Sequence, residues 1–315
     1  MRSLITGVSG FAGSHLADYL AQQPDVELWG CDRSGDRRPY HPASLKLLAV
    51  DICDAAATHA LLEHIQPDRI YHLAGQAFVG SSWTNPWETL ETNLRAQVNM
   101  LEAMRAFCPA ARMLVIGSNE EYGRLTADDL PVTESTPLRP DSPYGVSKVG
   151  QDLLGQQYYL SYGLHVVRVR PFNHIGPRQN SKFVAPSFAS QIAAVEAGQQ
   201  PPVLRVGNLA ARRDFTDVRD MMRAYQLALD QGVAGEVYNI GSERSRGIQE
   251  LLSILLGYAT RPIRVEVDTD RLRPSDVPEA VCNASKFRAR TGWKLTIPFE
   301  QTLKDLLDYE RALFN

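Results

Sequence analysis

Tyr144 and Lys148 stand four residues apart, at the start of a stretch whose periodicity predicts a helix from Val146 to Tyr162. That spacing puts both side chains on one helical face. A phenol with a reference pKa of roughly 10 exchanges protons poorly near neutrality, and a lysine cation beside it favours the phenolate. The pair therefore suits proton transfer at a reacting oxygen, with the lysine also able to hold a nucleotide ribose. Alone it is a common surface pairing, so its weight depends on what precedes it.

What precedes it is Gly7-Val8-Ser9-Gly10-Phe11-Ala12-Gly13, directly after a predicted strand at Ser3 to Ile5 and opening a predicted helix through Ala21. Glycines let backbone turn tightly and approach a pyrophosphate, while the first N–H groups of the helix face it. This placement makes Gly7, Gly10, Phe11, Ala12 and Gly13 a dinucleotide-binding loop. Asp32 and Arg33 end the next apolar segment, Val26 to Cys31. The carboxylate suits adenosine ribose hydroxyls, hence NAD, and the guanidinium suits a ribose phosphate, hence NADP. The expected cofactor is NAD(P)H, with the choice open. Asp51 and Ile52, after a third strand, are expected near adenine, and Leu73, Ala74 and Gly75 along the cofactor at the end of a fourth.

The elements that must position these residues alternate. Strands are expected at Leu47 to Val50, Arg69 to Leu73, Met113 to Ile116 and Val166 to Val169, with helices at Ala55 to Ile65 and Glu88 to Phe107 between them. Such alternation marks crossover units and a parallel sheet covered on both faces. After Pro171 the rhythm loosens into helices at Phe183 to Gly198, Asp217 to Gln231, Ile248 to Gly257, Ser285 to Thr291 and Phe299 to Leu313, with a strand at Val203 to Val206. The expected fold is α/β: a Rossmann-like doubly wound parallel sheet with a smaller α/β substrate-binding lobe. Residues 1–170 form the NAD(P)-binding domain and residues 171–315 mainly the lobe, with some segments, such as a strand at Val237 to Ile240, returning to the sheet.

A net charge of -3 over 315 residues supplies no basic excess for nucleic acid or an acidic membrane surface. No apolar run approaches a bilayer's thickness, and the N-terminal one is too short for a signal peptide. Cys31, Cys53, Cys108 and Cys282 are scattered, which argues for reduced thiols and a cytoplasmic location.

With the glycine loop and the Tyr144/Lys148 pair in place, the chain resembles the extended short-chain dehydrogenase/reductase family over nearly its full length. The resemblance implies that Ser118, in Gly117-Ser118-Asn119-Glu120-Glu121-Tyr122-Gly123, binds the reacting oxygen. It also implies that Asn93 orders the active-site backbone, that Tyr144 protonates an alkoxide formed by hydride transfer, and that no metal is needed. Segments 170–179 and 206–220 are similar to the nucleotide-sugar branch, and within it to reductases acting on a GDP-linked 4-keto-6-deoxy sugar to give GDP-D-rhamnose. That likeness implies substrate contacts from Ser82, Asn173, Lys182, Phe183, Val184, Arg213 and Arg273, and a homodimer formed through the two long helices.

Glu120 keeps a second activity open, because GDP-mannose 4,6-dehydratases use Ser-x-Glu to polarise a ketone and abstract the C5 proton. Against it, the stretch from Asp32 to Asp51 is short, and Asn173-His174-Ile175-Gly176-Pro177 lacks their glutamate. Another nucleotide-sugar epimerase or reductase, and a non-catalytic NAD(P)-binding regulator, remain alternatives. The regulator would be marked by a damaged Tyr-Lys pair, and the pair is intact.

Overall fold

The computed structural model describes residues 1–271 and 277–314. The first half runs β1 (Arg2–Thr6), α1 (Phe11–Ala21), β2 (Glu27–Asp32), β3 (Lys46–Ala49), α2 (Ala55–Ile65), β4 (Arg69–His72), α3 (Val79–Thr84), α4 (Pro86–Phe107), β5 (Arg112–Ile116), α5 (Pro143–Tyr162) and β6 (His165–Pro171). Then follow β7 (Asn173–Ile175), α6 (Val184–Glu196), β8 (Val203–Val206), β9 (Arg212–Asp217), α7 (Val218–Gln231) and β10 (Val237–Ile240). The chain ends with β11 (Ser245–Gly247), α8 (Ile248–Gly257), β12 (Arg264–Val267), β13 (Glu279–Ala280), α9 (Ser285–Thr291) and α10 (Phe299–Ala312).

The main sheet is wholly parallel, in the order β10-β6-β5-β4-β1-β2-β3. Its strand order reverses beside β1, so the crevice at the carboxyl ends of β1, β2 and β4 is the place where such sheets bind ligands. Leu16 and Leu20 of α1, Met221 and Tyr225 of α7 and Phe287 of α9 pack on one face. Leu61 and Leu62 of α2 with Met100 and Met104 of α4 cover the other. A separate apolar cluster joins α6, α8 and α10 to β8 and β9.

Local signals explain the boundaries that matter. Helix α5 begins at Pro143, earlier than the expected Val146, because the Ser142 hydroxyl accepts the Gly145 N–H at 3.0 Å and proline suits a first helical position. Tyr144 is thereby helical, in register with Lys148. Val237–Ile240 pairs with β6 as the expected returning strand.

Strand β9 reads Arg-Arg-Asp-Phe-Thr-Asp, a charged run without the apolar pattern that marks a strand. The structure hides its charge: Asp214 is buried and accepts from the N–H groups of Ser242, Glu243 and Cys282 at 2.7, 2.9 and 3.1 Å. Strand β9 pairs with β7, β11 and β13 to form the floor of the second lobe. Among the described residues no helix is long and apolar enough to cross a membrane.

Candidate active site

The glycine loop is sterically committed. Gly7 has φ +69°, and a Cβ there would lie 2.8 Å from Ala74 Cα; at Gly13 it would lie 2.2 Å from the Gly7 carbonyl oxygen. Only glycine allows that approach. No side chain caps α1, so its first-turn N–H groups are left to a ligand, as a pyrophosphate requires. The expected loop residues Gly7, Gly10, Phe11, Ala12 and Gly13 all line a cleft of about 450 Å³. So do Asp32, Arg33, Ile52, Leu73, Ala74 and Gly75. The residues present fit a dinucleotide.

Asp51 departs from expectation: it is exposed, accepts the Cys53 N–H at 2.9 Å, and does not line the cleft. Its turn at the end of β3 aims Ile52 inward and Asp51 away. Asp32 is already engaged, by the Ser9 hydroxyl, by Gly35 N–H at 2.7 Å and by the Ser34 hydroxyl at 3.3 Å. Burial acts to raise its pKa, and these hydrogen bonds outweigh it and hold the carboxyl below its usual range. Arg33 is exposed on the rim.

Tyr144, Lys148 and Ser118 converge at the inner end of the cleft and are each nearly buried. Lys148 donates to the Ile116 carbonyl at 3.0 Å and to Gln151 Oε1 at 2.8 Å. Burial pushes the lysine down to about 8, partly opposed by the Glu121 carboxylate. The expected lowering of Tyr144 by the lysine does not appear. Burial pushes the phenol upward, a hydrogen bond with Ser118 opposes it, and the carboxylates of Glu120 and Glu121 push it further up. The Lys148 ammonium lies 5.8 Å from the ring centroid, with its donors turned to Ile116 and Gln151. Behind the pair, Asn93 donates to Ser147 Oγ at 2.8 Å and accepts the Gln76 N–H at 2.8 Å, joining α4, α5 and the loop after β4.

A second cavity of about 560 Å³ opens from the cleft, and Glu120, Asn173 and Phe183 line both. Of the other expected substrate contacts, Lys182, Val184 and Arg213 line it too. Arg213 donates to the Val277 carbonyl at 2.6 Å. Ser82 is not brought to it: the side chain is buried, and its hydroxyl donates to the Val79 carbonyl at 2.7 Å within α3. Arg273 lies outside the described residues.

Sequence reasoning missed Gln179, which lines both cavities and donates to the His174 carbonyl at 3.1 Å. It also missed Phe78, on the second cavity's wall edge-on to Phe183, and Arg271, which donates to Ser187 Oγ at 3.2 Å. Arg271 sits two positions from Arg273, so local charge is the available signal. Phe78 carried none, because it follows no motif.

The family model for GDP-mannose 4,6 dehydratase matches residues 4–306. The GDP-6-deoxy-D-mannose reductase of Pseudomonas aeruginosa is 34% identical over 314 residues, covering 98% of this chain and 97% of the relative. GDP-mannose 4,6 dehydratase 1 of Arabidopsis thaliana is 29% identical, covering 99% and 90%. Among solved structures, that of RMD from Pseudomonas aeruginosa complexed with NADPH superposes with a TM-score of 0.86 at 33% identity, covering 99% of both chains. The Thermus thermophilus UDP-glucose 4-epimerase complex with NAD gives 0.87 at 28% identity, covering 99% of both.

Proposed function

The chain belongs to the GDP-mannose 4,6-dehydratase family, and from that premise we propose that it is an NAD(P)H-dependent reductase that converts GDP-4-keto-6-deoxy-D-mannose to GDP-D-rhamnose. The observation that carries the reading is the convergence of Ser118, Tyr144 and Lys148 at the inner end of the dinucleotide cleft, which puts a phenol where it can give a proton to a developing alkoxide. The near full-length likeness to a reductase supports the same direction.

The reduced nicotinamide supplies the hydride when bound. Ser118 orients the ketone oxygen, Tyr144 protonates it, and the Lys148 cation holds a ribose beside them. Asn173, Lys182, Phe183, Val184 and Arg213 surround the nucleotide sugar. Residues 1–170 carry the cofactor and most of residues 171–315 the substrate. With Asp32 already occupied by Ser9, Ser34 and Gly35, and Arg33 on the rim, NADPH is favoured over NADH. A cytoplasmic location suits an enzyme drawing on NADPH, with its cysteines free. Val146, Leu153 and Leu160 recur every seven residues on α5 and are 47%, 50% and 70% exposed, an apolar stripe that a second copy would cover in a homodimer.

A second reading, GDP-mannose 4,6-dehydratase, is favoured by Glu120, which lines both cavities where an elimination base would stand. One experiment separates the two. GDP-mannose and GDP-4-keto-6-deoxy-mannose are incubated separately with NADPH, NADH, NADP and NAD, and products are identified by NMR and mass spectrometry. Stoichiometric NADPH oxidation with the ketone is expected. Ketone formation from GDP-mannose without net cofactor use would replace reductase by dehydratase.

A further inference from the structure

The turn that carries Ser118 is tied to the helix that carries Tyr144 and Lys148 through buried charge. The Ser118 N–H donates to Glu121 Oε1 at 2.8 Å, and the Glu120 N–H donates to Ser118 Oγ at 3.1 Å. The second bond occupies a lone pair of the hydroxyl and leaves its proton to donate forward. Glu121 is fully buried, and its Oε2 lies 2.9 Å from Arg170 Nε on β6.

Arg170 and Arg168 both pair with Asp152, Arg170 through Nε at 2.9 Å and Arg168 through Nη1 at 2.7 Å. Asp152 sits on α5, one turn beyond Lys148 and two beyond Tyr144. Arg170 also donates to Tyr122 Oη at 3.1 Å, and Tyr122 donates to Asn239 Oδ1 of β10 at 2.6 Å. The cluster thus bolts together the Ser118 turn, α5, β6 and β10. Gly117 belongs to the same device: a Cβ there would lie 2.1 Å from Glu121 Oε1, so the carboxyl group fills the space a side chain would need.

We propose that Glu121 is a positioning residue, its carboxyl holding the Ser118 N–H while Arg170 and Asp152 set the Ser118 turn in register with the Tyr144–Lys148 helix. The proposal rests on the reading that Ser118 binds the reacting oxygen. Buried ion clusters add little net stability compared with apolar packing, and specifying geometry is a use that fits this one. Burial, then the Asp152 carboxylate, pushes the Glu121 carboxyl upward against the pull of Arg170. A protonated carboxyl still accepts from Ser118 through Oε1, and glutamine is its neutral mimic.

The test compares Glu121→Gln, which keeps length and acceptor, with Glu121→Asp, which keeps the acid but withdraws it by one methylene. Melting temperatures and NADPH binding by fluorescence establish that each variant is folded. Glu121→Asp should lose about tenfold or more in kcat, on the scale of a displaced oxyanion donor, with KM for the sugar nucleotide and Kd for NADPH within about twofold. Glu121→Gln should recover kcat to within about threefold. In a Ser118→Ala background Glu121→Asp should have no further effect, because the two act through one contact.

Full kcat in Glu121→Asp would overturn the proposal. So would losses that add to those of Ser118→Ala, or a Gln variant as impaired as Asp. If Glu121→Asp does not fold, Gly117→Ala, which drives the carboxyl off Ser118, replaces it with the same expected outcomes. The comparison uses whichever turnover the wild type shows, so a wild type that dehydrates GDP-mannose would refute the reductase reading while Glu121 is still judged on that reaction.

Discussion

At the scale of single residues, the protein's chemistry depends on what burial does to two polar groups, Tyr144 and Lys148. Tyr144→Phe removes the proton donor and leaves the packing of the ring, so turnover should fall roughly a hundred- to ten-thousand-fold with melting temperature nearly unchanged. Near-normal NADPH oxidation by that variant would end its assigned role. Lys148, pushed down to about 8 by burial, should lose its proton just above neutrality. Its cation is the form present below that value, so kcat/KM should decline above about pH 8, and a profile flat to pH 10 would contradict this. At the rim, Arg33→Ser should raise KM for NADPH about tenfold or more while leaving NADH little changed, the loss expected of one charged contact to a phosphate. Equal effects on both cofactors would deny Arg33 a phosphate. The glycine loop, Tyr144 and Lys148 were legible because each stands at a fixed offset from a strand or helix start, whereas Ser118 followed only from the family resemblance. What a sequence does not say is that the Ser82 hydroxyl donates to the Val79 carbonyl inside its own short helix.

At the scale of elements, apolar periodicity located the strands of the main sheet, whose buried faces require it. It did not locate β7, β9, β11 or β13, because the second lobe's floor is short and charged, and its carboxylates are satisfied by backbone donors that come from far along the chain. Helix α5 does two jobs: its inner face carries Tyr144 and Lys148, and its outer stripe of Val146, Leu153 and Leu160 is left exposed. Replacing Leu153 and Leu160 together by Glu should convert a dimer to a monomer in light scattering at micromolar concentration, since burying two unpaired carboxylates costs more than such an interface contributes. An unchanged mass would place the dimer contact elsewhere, and a monomeric wild type would remove the dimer altogether.

At the scale of the whole molecule, buried histidines couple the fold to pH. His15 of α1 sits between the Pro177 carbonyl, 2.8 Å from its Nε2, and Arg178, which donates to Nδ1 at 2.8 Å, so it joins the cofactor-binding helix to the substrate side. Burial, helped by Arg178, pushes it down to about 4, and burial with Lys148 nearby pushes His72 down to about 3. Unfolded histidine titrates at roughly 6.5. Between that value and the folded ones the unfolded chain binds protons that the folded chain refuses, so stability is lost as pH falls through this window. Melting temperature should drop between pH 7 and pH 5, because roughly 2 kcal/mol of stability is lost per histidine. A melting temperature constant over that range would show that neither ring is held neutral. The sequence by itself determined the crossover fold, the dinucleotide loop and the reactive pair, because each is written in neighbouring residues whose spacing is set by one helix or one strand. Only the tertiary structure decided that Asp32 is occupied, that Asp51 turns away, that burial pushes the Tyr144 phenol upward, and that Glu121 reaches Arg170 and Asp152. Those outcomes depend on desolvation and on partners brought together from distant segments, and neither quantity exists until the chain has folded.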